Sequence, residues 1–151
     1  TDNPVYPLED TVANLNIDMI GRIDDLHKDN SNYMYLIGSD ILSQDLHDVS
    51  AAMNDTYINL DLDYRYNDPT TEVFERGRYI ENRYYYGSDH YNFAKNNVPV
   101  IFYFNGTHAD YHAPTDTVEK IEYELLEKRT RLIFHTAWEI VNREGRLRLK
   151  E

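Results

Sequence analysis

Val98-Pro-Val-Ile-Phe-Tyr-Phe104 is the clearest structural signal in this 151-residue chain. No charged residue interrupts it, and a continuous apolar run of this length is typical of a strand that is buried on both faces of a sheet. Such a sheet needs helices to cover its two faces. The run therefore predicts the central strand of an α/β fold.

Three further strands are predicted on the amino-terminal side of this run. Val12-Ala-Asn-Leu-Asn-Ile-Asp-Met-Ile20 alternates apolar and polar residues as far as Asp18, and Gly21 follows it. We therefore expect Asp18 near the carboxyl end of a strand. Tyr33-Met-Tyr-Leu-Ile-Gly38 has the composition of a second strand, and Tyr57-Ile-Asn-Leu-Asp-Leu-Asp-Tyr-Arg-Tyr66 alternates strictly enough for a third.

Helices are predicted between and after these strands. Apolar residues have helical spacing over residues 39–54, and a short helix is expected from Ser88, as its N-cap, to about residue 96. The longest helix is expected to begin near Asp116, whose side chain would cap it together with Glu119, and to end before Gly145. Its apolar side would carry Val118, Ile121, Leu125, Leu132, Ile133, Ala137, Ile140 and Val141.

The alternation of strands and helices predicts an α/β sandwich. No repeat, low-complexity tract or Gly/Ser linker divides the chain, so we expect residues 1–151 to form a single domain. The chain begins with Thr1 instead of Met, and we expect it to be processed or excised from a longer protein.

Charge and composition exclude several classes of function. Fifteen Lys and Arg residues against 27 Asp and Glu give a net charge of −12, which repels phosphate backbones and anionic lipid surfaces. We therefore expect no nucleic-acid partner, and no apolar run approaches the roughly 20 residues that span a membrane. Cysteine is absent, so any metal would need His and carboxylate ligands. Fourteen Tyr residues without Cys suit an exported bacterial protein, whether periplasmic, secreted or on the cell surface.

Two polar loops follow predicted strands, where α/β proteins commonly bind their ligands. The first, residues 16–22, contains Asp18, and the second, residues 105–117, contains His112. A carboxylate and an imidazole on rigid elements are ligands that Zn²⁺ accepts. On these local features alone a second interpretation stands, in which Asp18 ends a strand by accepting backbone N–H groups and His112 belongs to a polar loop.

Three spaced motifs are Asn14-Leu-Asn-Ile-Asp-Met-Ile-Gly-Arg22, Gly87-Ser-Asp-His-Tyr-Asn-Phe93 and Asp110-Tyr-His-Ala-Pro-Thr-Asp-Thr117. Together and in this order they resemble the motifs of the M28 family of zinc peptidases, which includes secreted bacterial aminopeptidases. The resemblance extends from about residue 3 to residue 141. It implies a three-layer sandwich in which helices flank a mixed sheet, and it makes this chain similar to the C-terminal part of the catalytic domain.

The resemblance also implies roles for individual residues. Asp18 would bind one zinc ion and His112 the second, while Tyr111 would stabilise the oxyanion of the reacting carbonyl. Three further residues are expected to support the site or the fold: Asp116, as helix cap or as orienting partner of the His112 loop, and Ser88 and Asp89.

The chain departs from the family pattern in two places. Gly87 stands where many members have Arg, near the substrate. The family's remaining ligands (a His, a bridging Asp and a Glu) and its Glu general base all precede the first motif, where this chain has 17 residues without His or a Glu-Glu pair. The complete family site holds two zinc ions about 3.5–4 Å apart. We therefore expect this chain alone to bind fewer than two zinc ions and to be inactive.

The leading hypothesis is that the chain is part of a zinc aminopeptidase, with peptides as substrates and the missing N-terminal half of the domain as its partner. Two alternatives remain, a non-catalytic M28-like receptor or scaffold module, and an aminoacyl cyclotransferase with one zinc. Loss of the N-terminal half would also leave one edge of the strand at residues 12–20 unpaired, so we expect self-association there or a rearranged segment that covers it.

The other histidines and acidic clusters receive structural interpretations. We expect His90 to hydrogen-bond with neighbouring backbone in the first turn of its helix. Asp24 and Asp25, with His27 nearby, are expected to form a hydrated surface. His108 is left open between the site and solvent.

Overall fold

The computed structural model describes residues 3–75 and 77–150 and contains two sheets. The strands in this part of the chain are β1 (Asn14–Ile17), β2 (Tyr33–Ile37), β3 (Asp61–Asp63), β4 (Glu72–Glu75), β5 (Arg78–Glu81) and β6 (Val100–Phe104). The larger sheet has the order β1-β6-β2-β3, and β4 and β5 form an antiparallel hairpin.

The larger sheet is mixed, and β6 lies inside it as the apolar run predicts. β6 is parallel to β1, with Asn14 opposite Val100, and antiparallel to β2, with Leu36 opposite Tyr103. β2 and β3 are again parallel. All residues of β2 and β6 are buried, as expected for strands that are covered on both faces.

Helices cover the sheet in two layers, because alternate residues of the central strands face opposite sides. The helices are α1 (Gln44–Met53), α2 (His90–Ala94) and α3 (Tyr123–Asn142). One core contains Leu36 and Tyr103 with residues of α1 and α3. The other contains Tyr35 and Phe102 with residues of α2 and the hairpin. The expected α/β sandwich with a mixed, helix-flanked sheet is confirmed.

The prediction for the third strand is wrong at its start. A wide helical turn, Asn54–Ile58, continues α1, and Asn59 then adopts a left-handed conformation with φ of 58°. Asn tolerates this left-handed conformation better than most residues do, so it can end the helical turn here. Only Asp61–Asp63 pairs with β2.

The predicted starts of two helices are also wrong. The longest helix begins at Tyr123, not near Asp116, because residues 105–117 form an irregular loop and Glu122 N–H donates to Gly21 O. Both ends of the predicted apolar face are exposed to solvent: the exposed fraction is 58% for Val118 and 75% for Val141. Ser88 is not the N-cap of α2, whose cap position is Asp89 without a capping side-chain bond.

The hairpin of β4 and β5 was not predicted from the sequence. Val73 and Ile80 face each other in it, and Gly77 lies between the strands with φ of 81°. None of the described helices is both long and apolar enough to cross a membrane.

Candidate active site

The two polar loops meet at one edge of the sheet, because β1 and β6 are parallel neighbours and end there together. Asp18 directly follows Ile17, and its N–H donates to Tyr103 O at 3.3 Å. The 105–117 loop starts where Phe104 ends β6. The carboxyl ends of parallel strands are a common place for ligands in α/β folds.

A cleft of about 660 Å³ opens between these loops. Its volume is in the range of small-molecule sites. The structure thus brings Asp18, Tyr111 and His112 to one cavity, although they come from distant parts of the sequence. The other polar side chains that line it are Arg22, His108, Asp116 and Thr117.

Ser88 fixes the carboxylate of Asp18. Its Oγ donates to Asp18 Oδ2 at 3.1 Å and accepts from Asn16 Nδ2 at 3.0 Å. Because the Asn16 amide donates to the serine oxygen, the serine hydroxyl proton is left to be donated to Asp18. This contact accounts for the position of Ser88 better than a helix cap, while the side chain of Asp89 is exposed.

Among the described residues, the two with positive φ that are neither Gly nor Asn both line the cleft. Met19, next to Asp18, has φ of 60°, and His112 has φ of 57°. Residues other than glycine rarely adopt this left-handed backbone conformation. Strained conformations of this kind cluster at functional sites. The ring of His112 stacks on that of Tyr111 with centroids 3.8 Å apart, and both side chains are exposed to the cleft side of the loop.

Arg22 joins the two loops. Its guanidinium donates to Asp110 Oδ2 at 3.1 Å and to Asp116 Oδ1 at 3.2 Å. Lys120 contacts the other oxygen of Asp110 at 2.7 Å, and the hydrogen bonds from Lys120, Thr115 and Arg22 hold the pKa of Asp110 far below its ordinary value. Asp116 therefore ties its loop to Arg22 and does not cap a helix.

His108 faces this network instead of solvent. Its side chain is 7% exposed, and Nε2 lies 3.7 Å from Asp116 Oδ2. Its Nδ1 is buried and has no hydrogen-bond partner. Of the two positions that the sequence left open for His108, the structure shows the one beside the cleft.

The described residues fit a zinc site by type, but they do not complete one. Asp18 and His112 provide the oxygen and nitrogen donors that Zn²⁺ accepts. Within residues 3–75 and 77–150, however, no three His, Asp or Glu side chains are grouped closely enough to hold a metal ion. A catalytic zinc needs three protein ligands, so the described residues could not hold a catalytic zinc by themselves.

Comparison with known proteins identifies the family of the chain. The profile described as Peptidase family M28 matches residues 2–137. The chain belongs to peptidase family M28. A comparison of this M28 domain with curated proteins gave no match.

The fold of this M28 chain is also similar to that of a solved aminopeptidase. The crystal structure of Legionella pneumophila LapA aminopeptidase matches it with a TM-score of 0.63 and 20% sequence identity. The match covers 89% of this chain and 32% of that chain. The M28 chain therefore spans about a third of the LapA structure.

Arg129 supports the site but was not singled out in the sequence. It lies on α3, is fully buried, and donates to the carbonyl oxygens of Ile20, Arg22 and Ser31. These bonds hold the backbone that follows Asp18 in this M28 domain. The sequence offered one signal for Arg129, a charged residue between the apolar positions of a helix. Such a residue is rarely buried without partners.

Two of the structural interpretations are wrong. The ring of His90 is fully buried against Phe102, and neither ring nitrogen has a partner with hydrogen-bond geometry. Burial lowers its pKa to about 4, against a smaller opposing effect of the Tyr85 backbone. Asp24 is 6% exposed and accepts hydrogen bonds from the Tyr35 hydroxyl and from the backbone and ring of His27. His90 is therefore a core residue and not a hydrogen-bonding residue of the first helical turn. The hydrated surface expected at Asp24 and Asp25 is found for the exposed Asp25 but not for the buried Asp24.

Proposed function

We propose that this M28 chain contributes part of the active site of a zinc-dependent aminopeptidase, which removes N-terminal residues from peptides. The observation that supports it is the shared cleft of Asp18, Tyr111 and His112. Residues outside these 151, from an N-terminal half of the domain, would supply the remaining ligands and the general base. We further propose that the protein is exported from a bacterial cell.

Each residue has a role in this proposal. Asp18 would hold one zinc ion and His112 the other, and zinc bound there would supply the Lewis acid that such hydrolysis needs. The Tyr111 hydroxyl donates a hydrogen bond to the carbonyl oxygen of the scissile peptide as negative charge develops there. Ser88 orients the carboxylate of Asp18, and Arg22 holds the two loops together.

The test uses the longest natural chain that contains these residues, assayed with zinc on chromogenic amino-acid amides. Asp18→Asn and His112→Asn are each expected to lower kcat/KM by more than about 100-fold, and Tyr111→Phe by about 100-fold. Ser88→Ala, which leaves the ligand but frees its orientation, is expected to lower it by about 10-fold. Asp48→Asn, an exposed change on α1, should have no effect and serves as the control.

The same experiment separates the alternatives. A folded natural chain without turnover would exclude the aminopeptidase and favour a receptor or scaffold module. Cyclisation of N-terminal glutaminyl peptides, with no release of amino acids from the amides, would instead indicate an aminoacyl cyclotransferase.

A further inference from the structure

A second cavity, of about 300 Å³, adjoins the cleft. It shares Asp18, Met19 and Tyr111 with the cleft, so a molecule bound there reaches the proposed reaction centre. Its apolar walls are formed by Ile80 of β5, Phe102 and Phe104 of β6, and Tyr84 from the segment before α2. Its charged lining consists of Asp18, Glu75, Glu81 and Arg83. Gly87 also lines it and contributes no side chain.

A carboxylate stands against these apolar walls. Glu75, at the end of β4, is half-buried and lines the cavity together with Tyr84. The Tyr84 hydroxyl donates to Glu75 Oε1 at 2.5 Å. Burial, and then Glu75 itself, raises the pKa of Tyr84 far above its ordinary value, so the hydroxyl stays protonated as the donor. This bond orients the carboxylate of Glu75, and the Tyr66 hydroxyl also lies beside that carboxylate, which adds to burial in raising the pKa of Tyr66. A carboxylate has about four acceptor positions, so it can still accept a hydrogen bond from a ligand.

The charges around the cavity favour a cation. Glu81 is matched by Arg83, whose Nη2 lies 2.8 Å from Glu81 Oε2. Among the ion pairs of the described residues none involves Glu75, whose side-chain partner is a neutral hydroxyl. Asp24 and Asp25 add negative charge in a neighbouring cavity of about 350 Å³ that Glu75 also lines.

We propose that this cavity receives the side chain of the substrate's N-terminal residue and selects lysine or arginine through Glu75. The inference rests on the proposed aminopeptidase function. Ile80, Phe102 and Phe104 contact the methylene groups of the long side chain, as apolar surfaces do for the stems of Lys and Arg. Glu75 accepts a charge-assisted hydrogen bond from the cationic end.

The test measures binding and needs no turnover. Lysinamide and norleucinamide share the α-amine, the amide and the length of the methylene chain, and they differ in the terminal cation. Titrated into the chain and followed by NMR, lysinamide is expected to bind about tenfold more tightly than norleucinamide. Glu75→Gln should abolish this difference, whereas Glu72→Gln, an exposed change of equal charge on the same strand, should preserve it.

A second variant tests the same cavity from its other wall. Gly87→Arg adds a cation at the rim, and its backbone φ of −93° accepts a side chain. This variant is expected to weaken lysinamide binding more than norleucinamide binding.

Three results would overturn the inference: equal or tighter binding of norleucinamide, no binding of either amide, or an equal loss of both in Glu75→Gln. The last would mean that Glu75 holds the α-amine instead of the side chain. Selective lysinamide binding together with an inactive natural chain would uphold the cavity's preference and reject the proposed hydrolysis.

Discussion

Gly106 lies where the site loop passes closest to the buried side chain of Asp24. It has φ of 82°, and a Cβ at this position would collide with the carboxylate. Asp24 has little room to move, because the Tyr35 hydroxyl and two backbone N–H groups hold it. The first turn of the site loop therefore depends on the absence of a side chain.

Gly106→Ala is expected to lower the free energy of unfolding by about 3 kcal/mol, from the left-handed backbone and the overlap together. Gly145→Ala is the matched control, since Gly145 has φ of 81° and no atom within 4 Å of the added Cβ. It should cost about 1 kcal/mol. Equal losses in urea unfolding would show that the contact with Asp24 contributes nothing.

The buried ring of His90 makes the free energy of unfolding depend on pH. Burial lowers its pKa from 6.5 to about 4 in the fold, whereas the unfolded chain takes up the proton below about pH 6.5. Between pH 6.5 and 4 the unfolded state therefore binds more protons, and the free energy of unfolding falls as the pH falls.

The expected contribution of His90 across this window is at most about 3 kcal/mol. His90→Leu should remove it, so that its unfolding curve changes less with pH than that of the wild type. His135→Leu, a change on the partly exposed side of α3, should leave the wild-type dependence in place. Identical pH dependence in the wild type and His90→Leu would contradict this account.

At the scale of the elements, β1 is the end strand of the larger sheet in the part of the chain that is described. Asn14 and Asp18 donate their N–H groups toward β6, so the N–H groups of Leu15 and Ile17 point to the open edge. Ile17 is also 49% exposed. An open edge with apolar side chains is a template for pairing with another strand.

We predict that the chain self-associates through β1, and more strongly at 0.5 M than at 0.05 M salt because screening reduces the repulsion between chains of charge −12. Ile17→Pro removes an outward N–H without breaking a bond to β6, and it should keep the chain monomeric. Light scattering that shows a wild-type monomer up to about 1 mM at both salt concentrations would refute the prediction.

The sequence predicted the elements whose own composition determines them. The runs that became β2 and β6 are apolar throughout, and no tertiary contact was needed to identify them as buried strands. The start of α3 could not be predicted in this way. Asp116 has the chemistry of a helix cap, but Arg22, far away in the sequence, binds its carboxylate and leaves the helix to begin at Tyr123.

The candidate site was predictable to the same extent. Asp18, Tyr111 and His112 stand in short motifs, so a resemblance could mark them. Ser88 was marked too, but its contact with Asp18 depends on the fold. Arg129 and Glu75 acquire their roles only because α3 and the hairpin pack beside the loops, which no local pattern showed.

Across the whole molecule, the charge distribution suits cationic ligands. The net charge is −12, and the cations nearest the cleft, Arg22 and Lys120, are paired with Asp110 and Asp116. A negative field of this kind attracts metal ions and the free amines of peptide N-termini. It does not make up for ligands that the described residues lack.

We expect this chain to carry one protein ligand for each of two zinc ions, which is too few to hold both alone. Titration calorimetry of the 151-residue chain with zinc, together with an assay on amino-acid amides, tests this expectation. We predict fewer than two zinc ions per chain, weak binding, and no hydrolysis. Stoichiometric binding of two zinc ions per chain, accompanied by hydrolysis of the amides, would contradict the account.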